Sequence, residues 1–482
     1  MATETNKLEP RELWNIFFQI CNIPHPSGHE EGICDFLLKK AEAAGLVARK
    51  DKNNNLLISK PASKGCEQVK TVILQSHLDM VPQKDEDHEF DFKTDPIKPR
   101  VDGEWLCAEK TCLGADNGIG IAAAMAIMLD DKLPHGPLRA LFTTEEETGL
   151  AGAKKLEKDF LDGDILLNLD SENENIIYVG CAGGASLSSD FMIEWTEPHP
   201  GFKAYKIEVS GLPGGHSGCD IHKKRGNAIK LLVDLLKNVS EVIELQISML
   251  DGGTLDNVIP SGAFAIVTIP EDESEVLIEA TRMFASGARA QYDYKHPIME
   301  VAESWYAPTK VWTEAFSKKV LNALAECPHG VVAMSRSMPG IVKTSNNLAV
   351  LETSMNKLRV KNSQRSFYAD DLEELTNQIS DLFDNAGALS YVESEYPGWA
   401  PNHDSEIVTI VSEIYEEAGK KADKKVIHAG LECGIISSLN PKLDMVSLGP
   451  TIIDPHSPAE CVNIRSVENF YNHLRAILQR LK

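Results

Sequence analysis

The chain has 482 residues, more than one ordinary hydrophobic core accommodates, so two domains are expected. Its 48 lysines and arginines stand against 72 aspartates and glutamates, a formal charge of -24 that repels phosphate backbones and argues against nucleic acid as a partner. No apolar run nears the ~20 residues a bilayer crossing needs, the polar opening MATETNKLEPRELW is unlike a signal peptide, and the ten cysteines contain no C-x-x-C pair, so the expectation is a cytoplasmic protein with reduced thiols and no membrane partner.

Amphipathic spacing predicts helices over Glu12–Cys21 and Glu30–Gly45, the second stopped by its glycine. KTVILQS (Lys70–Ser76) reads as a buried strand, and GIGIAAAMAIML (Gly118–Leu129) as a helix apolar on nearly every face, suited to packing under a sheet. LRALFT (Leu138–Thr143) and DILLNL (Asp164–Leu169) are two more short apolar strands. Strands alternating with helices predict an α/β domain with a mostly parallel sheet and helices on both faces.

After Gly183 the texture changes. KAYKIEVS (Lys203–Ser210) alternates as a half-covered strand does. A helix over Arg225–Asn238 follows, then strands near Glu244–Leu250 and Ala263–Ile269. A second round has helices near Glu273–Ser286, Thr313–Ala325 and Asp370–Asn385, with strands through Val360. EYPGWAPNHDSE (395–406) leads the chain back to a helix at Glu406–Ala418, the strand-like KKVIHAG and a closing helix at Val467–Arg480. The expected plan is a discontinuous catalytic domain (1–184 and 397–482) interrupted by an inserted α+β domain (185–396).

In open α/β sheets ligands bind beyond the carboxyl ends of the strands. KTVILQS is followed by His77 and Asp79, LRALFTT by Glu145, Glu146 and Glu147, and DILLNL by Asp170. Asp116 precedes the apolar helix, and His456 lies in the proline-bounded loop of VSLGPTIIDPHSP. Each alone is an ordinary turn or helix-end residue. Together, carboxylates gathered this closely repel one another unless cations neutralise them. Two histidines with three carboxylates suit a pair of Zn²⁺-like ions, one carboxylate bridging. A water between two such ions ionises near neutral pH, and a glutamate that is not a ligand takes its proton. The residues alone leave open which glutamate of the triple is ligand and which is base.

SHLDMVP, GADNGIG, TTEEETG, NLDSE, GLPGGHSG and DPHSP, in this order, resemble the di-zinc exopeptidases that include carboxypeptidase G, aminoacylase and peptidase T. GLPGGHSGCDIHKKRGNAIK, LDNVIP and HAGLECG resemble, within that family, the Xaa-His (aminoacyl-histidine, carnosinase-like) dipeptidases. The resemblance implies a metallo-dipeptidase and assigns roles. His77 and Asp170 ligate one ion, Glu147 and His456 the other, and Asp116 bridges. Asp79 orients His77, and Glu146 is the general base. The family pattern acid-Glu-Glu-x-Gly fits the triple in one register only; Glu145 stands where the family often has aspartate, a position that is neither base nor ligand.

By the same resemblance His216, in the inserted domain, donates to the oxyanion, which requires domain closure. Arg365, Asn257 and the backbone at Gly430 would clamp the substrate's terminal carboxylate. The implied partners are a dipeptide and, through the inserted lid domain, a second copy of the chain; the metals are two divalent ions, zinc first, with cobalt or manganese also compatible. A related di-zinc aminoacylase, aminotripeptidase or carboxypeptidase is the nearest alternative, and a zinc-binding protein without catalysis the more distant one. GADNGIG lacks the glycine spacing and lysine of a phosphate-binding loop.

Overall fold

The computed structural model describes residues 7–223, 225–292, 298–336 and 338–482; the polar opening segment, residues 1–6, lies outside them. The chain divides into two compact units, one of residues 1–181, 399–426 and 431–482, the other of 182–398 and 427–430. The unit boundaries fall a few residues from the expected 184/185 and 396/397. The segment Ile427–Gly430, expected in the first domain, groups with the second.

The first unit is built on an eight-stranded sheet in the order 47–50, 56–60, 138–143, 72–77, 165–168, 444–447, 176–181, 423–427. Val72–His77 pairs in parallel with Leu138–Thr143 on one side and Ile165–Asn168 on the other, and Asp444–Ser447 extends the parallel run. Antiparallel pairing appears on both flanks. The central strands open with runs of Val, Ile and Leu because both faces are hidden from water: every residue of Val72–His77 and of Ile165–Asn168 is buried. The helix Ala115–Met128 packs against this centre and is buried from Gly118 to Met128. Asp116 and Asn117 have non-helical backbone angles, so the regular helix begins where the apolar run begins. Gly120 is required by close approach. A Cβ there would meet Asn117 Oδ1 at 1.9 Å, the Leu169 carbonyl at 2.7 Å and Ser76 Oγ at 2.8 Å.

A small antiparallel sheet joins Pro99–Asp102, Trp105–Ala108, Cys461–Asn463 and Ile452–Ile453. Cys461 pairs in register with Cys107, and the two form a disulfide. This corrects the expectation of wholly reduced thiols. No C-x-x-C spacing marks the pair, because strand register joins these two across 354 residues of sequence.

The second unit is an antiparallel sheet ordered 298–303, 202–210, 263–270, 246–252, 342–353, 357–366, 183–192, 388–396, with 330–334 paired to 342–353. The helices Ala228–Ser240, Glu314–Glu326 and Ala369–Asn385 pack on it, and Leu232, Leu236, Ile207, Val267, Leu348, Phe191 and Phe383 form its core. Among the described residues no helix is long and apolar enough to cross a membrane.

Candidate metal centre

The predicted ligands of the first unit converge. His77 closes its strand, and its Nε2 lies 3.0 Å from Asp116 Oδ1 and 3.2 Å from Asp170 Oδ1. His456 Nε2 lies 3.2 Å from Asp116 Oδ2 and 3.0 Å from Glu147 Oε1. Asp116 therefore presents one oxygen to each histidine. Three overlapping groups have donor atoms within 4.8 Å of one another: His77, Asp116 and Asp170; Asp116, Glu147 and His456; His77, Glu146 and Glu147. Nitrogen and carboxylate oxygen donors in sets of three, with Asp116 common to two, fit a pair of divalent ions.

The electrostatics agree with that fit. Burial alone would lower the His77 imidazole, yet the carboxylates of Asp170, Asp116 and Asp79 raise it well above its usual range. Hydrogen bonds to Asp116 and Glu147 raise half-exposed His456 to about 11. Burial raises Asp170 and Glu147, and, with the like charges of Asp170, Glu432 and Glu147, lifts Glu146 well above the carboxylate range.

Asp79 does more than stand beside His77. The ring Nδ1 lies 3.0 Å from the Asp79 carbonyl and 3.6 Å from its carboxylate. That carboxylate accepts the N–H groups of Glu146 (3.0 Å) and Glu147 (3.1 Å) and the Ser27 hydroxyl (2.8 Å). The residue thus fixes the turn that carries both glutamates.

Two carboxylates that the sequence reading did not single out support the site from behind. Glu432, wholly buried, accepts Gln75 Nε2 at 2.6 Å and the Thr143 hydroxyl at 2.7 Å, binding together the strands that end in His77 and lead to Glu146; burial pushes it up to about 7. Glu460 accepts main-chain N–H groups of the segment that ends in Asp116. A charged residue inside an apolar stretch, as in LECGII and PAECV, is the signal that could have found both.

In the second unit His216, Arg365, Tyr396, His428 and Gly430 form a separate polar group. His216 Nδ1 accepts the N–H groups of Gly218 (3.1 Å) and Cys219 (3.0 Å), which places the ring proton on Nε2; burial and the Arg365 charge lower its pKa and keep it neutral. Arg365 is buried. It donates to the Tyr396 hydroxyl at 2.7 Å and to Ser217 Oγ at 3.5 Å, its Nε has no partner, and no carboxylate pairs with it among the described residues. Gly430 lies against the Tyr396 ring, where a Cβ would come within 2.9 Å. Asn257 is an exposed residue whose carbonyl accepts the Ser217 N–H at 2.8 Å. Tyr396 was not anticipated; its role depends on a strand pairing invisible in the sequence.

The model of peptidase family M20/M25/M40 matches residues 73–480. The chain belongs to this family. It is 40% identical over 481 residues to the cytosol non-specific dipeptidase of Escherichia coli (strain K12), with 99% of each chain covered. The crystal structure of an aminoacylhistidine dipeptidase from Vibrio alginolyticus superposes with a TM-score of 0.93 at 40% identity, over 100% of this chain and 99% of that one. The aminopeptidase PepT from Bacillus cereus shares the fold at a TM-score of 0.57 and 16% identity, over 98% and 99%. As a member of this peptidase family the chain is a hydrolase acting on peptide bonds.

Proposed function

We propose that this chain is a metal-dependent dipeptidase that hydrolyses Xaa-His dipeptides, β-Ala-His among them, and that it uses two divalent cations, zinc first. The observation that carries the reading is Asp116, whose two oxygens face two different histidines, each backed by a further carboxylate. The name of the E. coli relative supports a dipeptide substrate, and that of the Vibrio relative the C-terminal histidine.

His77, Asp116 and Asp170 would hold one ion, and Asp116, Glu147 and His456 the other. Such ions supply Lewis acidity toward the scissile carbonyl and lower the pKa of a nearby water toward neutrality. Glu146, whose N–H is held by the Asp79 carboxylate, takes the attacking water's proton and returns it to the departing amine. His216, neutral with its proton on Nε2, donates to the developing oxyanion. Arg365, a buried cation without an acid partner among the described residues, receives the dipeptide's terminal carboxylate, with Tyr396 steadying the guanidinium and Gly430 and Asn257 shaping the approach.

A second copy of the chain is the expected partner. The strand Ala388–Tyr396 stands at the end of its sheet, and Leu389, Tyr391 and Val392 on it are exposed. The name of the E. coli relative also supports a cytoplasmic location.

The test is hydrolysis of β-Ala-His, Gly-His, Leu-Leu, a tripeptide and an N-acetyl amino acid by chelator-stripped protein, before and after adding Zn²⁺, Mn²⁺ or Co²⁺. Metal-restored cleavage confined to the dipeptides is the expected result. Cleavage of only the tripeptide or the acylated substrate would keep the metals and refute the dipeptidase.

A further inference from the structure

Glu460 touches neither histidine of the centre, yet it binds the two halves of that centre together. It sits at the end of the loop carrying His456, immediately before the strand Cys461–Asn463, and is 2% exposed. That strand pairs with Trp105–Ala108, which leads into the segment ending at Asp116, so the register brings the Glu460 side chain against residues 113–116. Its Oε2 accepts the N–H groups of Leu113 at 2.7 Å and Gly114 at 3.0 Å; its Oε1 accepts those of Ala115 at 2.8 Å and Asp116 at 3.2 Å. These donors belong to the non-helical stretch that leads into the regular helix at Gly118, where main-chain N–H groups have no partner within a helix or strand. One carboxylate thereby satisfies four of them.

Asp116 itself needs such support. Its backbone departs from helical angles while its side chain faces His77 with one oxygen and His456 with the other. A small rotation of this main chain would turn one oxygen away from its histidine. The Asp116 side chain has no hydrogen bond of its own that would fix it independently of those histidines among the described residues.

We infer that Glu460 is a positioning residue for the shared carboxylate: by gripping the main chain at Asp116 from the His456 loop, it sets the spacing between the two ion positions and hence the affinity for the second ion. This rests on the two-metal reading above. Glu460 is not expected to touch substrate.

The experiment uses the full chain and the variant Glu460→Gln, whose amide can accept through one oxygen only and turns an N–H₂ group toward two of the four donors. Zn²⁺ binding is titrated under chelator-buffered conditions, and Co²⁺ spectra are recorded at one and two equivalents. The wild type should take up two ions. In Glu460→Gln the weaker ion should lose about 10- to 100-fold in affinity, the loss typical when a partner behind the ligands is removed. The spectrum of the second cobalt should change while that of the first is kept. Dipeptide turnover should recover at high metal with KM unchanged. Glu460→Asp, which keeps the charge but reaches fewer donors, should fall between the two and carries the same titration if Glu460→Gln fails to fold. Two ions bound with wild-type affinity and spectra, or an equal loss of both, would overturn the inference. A wild type that binds fewer than two ions would overturn the two-metal reading instead.

Discussion

Replacing His77 by alanine separates a metal ligand from a histidine that is merely buried. The imidazole lies between Asp116 and Asp170 and belongs to two of the three donor groups. An ion that binds only the native state stabilises it by RT ln(1 + [L]/Kd), about 4 kcal/mol at 1,000 times Kd. Losing a direct ligand weakens binding at least as much as losing a partner behind one, so about 100-fold or more, which removes roughly 2.7 kcal/mol of metal-linked stability at the same free metal. The metal-free protein should suffer separately. Two carboxylates whose donor atoms lie within 4.8 Å of each other then face without the imidazolium between them. With both ionised, that costs about 3.5 kcal/mol or more per pair at an effective dielectric near 20. Denaturant unfolding with and without Zn²⁺, for wild type and variant, gives four free energies, and the difference of differences isolates the ligand role from general destabilisation. His473→Gln, a buried histidine packed on Tyr415, serves as the control and should shift both forms equally. A metal-induced increment in His77→Ala equal to that of the wild type would refute the ligand assignment.

Glu146→Gln should retain both ions in a metal assay and lose turnover by about 10²–10⁴-fold, the usual worth of a positioned general base; near-wild-type kcat would reassign the base. Arg365→Met should raise KM for dipeptides by about 10- to 100-fold, since a charge-assisted hydrogen bond contributes about 1.5–3 kcal/mol, while leaving C-terminally amidated analogues unaffected. Burial pushes His473 down to about 4. The unfolded chain, with a pKa near 6.5, therefore takes up its proton first, and stability falls as pH drops from about 6.5 toward 4, by roughly 2 kcal/mol at pH 5. His473→Gln should remove that part of the decline in unfolding free energy between pH 7 and 5. Gly120→Ala should destabilise the first unit by about 1–3 kcal/mol or more through overpacking against Asn117, Leu169 and Ser76, measured as a lower denaturant midpoint.

The parts of the fold legible in the sequence are those whose burial is uniform. Val72–His77, Leu138–Thr143 and Ile165–Asn168 carry apolar runs because both faces are covered almost throughout, and the helix Ala115–Met128 is apolar all round from Gly118 for the same reason. Gly183–Met192 carries no strand signal in sequence because its residues are mostly small and polar. It is a strand only because two neighbours flank it and take up its hydroxyls: Ser188 bonds Glu393 and Ser189 bonds Ser390. The candidate ligands were legible because each follows the end of an apolar strand or borders an apolar helix. For Glu432 and Glu460 the sequence shows only a charge set in an apolar stretch; the main-chain and amide donors they meet come from across the fold.

The order of the chain has a consequence for how this centre forms. His77, Asp116, Glu147 and Asp170 are all in place before residue 181, so the first segment brings three carboxylates together with a single histidine. The groups that complete and steady the cluster come from the far end of the chain: His456 supplies the second imidazole, Glu432 fixes the strands beneath His77, and Glu460 fixes Asp116. Until the strands Asp444–Ser447 and Cys461–Asn463 pair, the site is an acid cluster with unbalanced charge and an unsupported Asp116 loop. Metal affinity therefore belongs to the closed sheet, not to the sequence motifs that announce it. The long insertion between the two segments is compatible with this because closing a loop of any such length costs entropy only logarithmically, a cost that burial of the C-terminal helix Ile464–Arg480 against the first unit offsets.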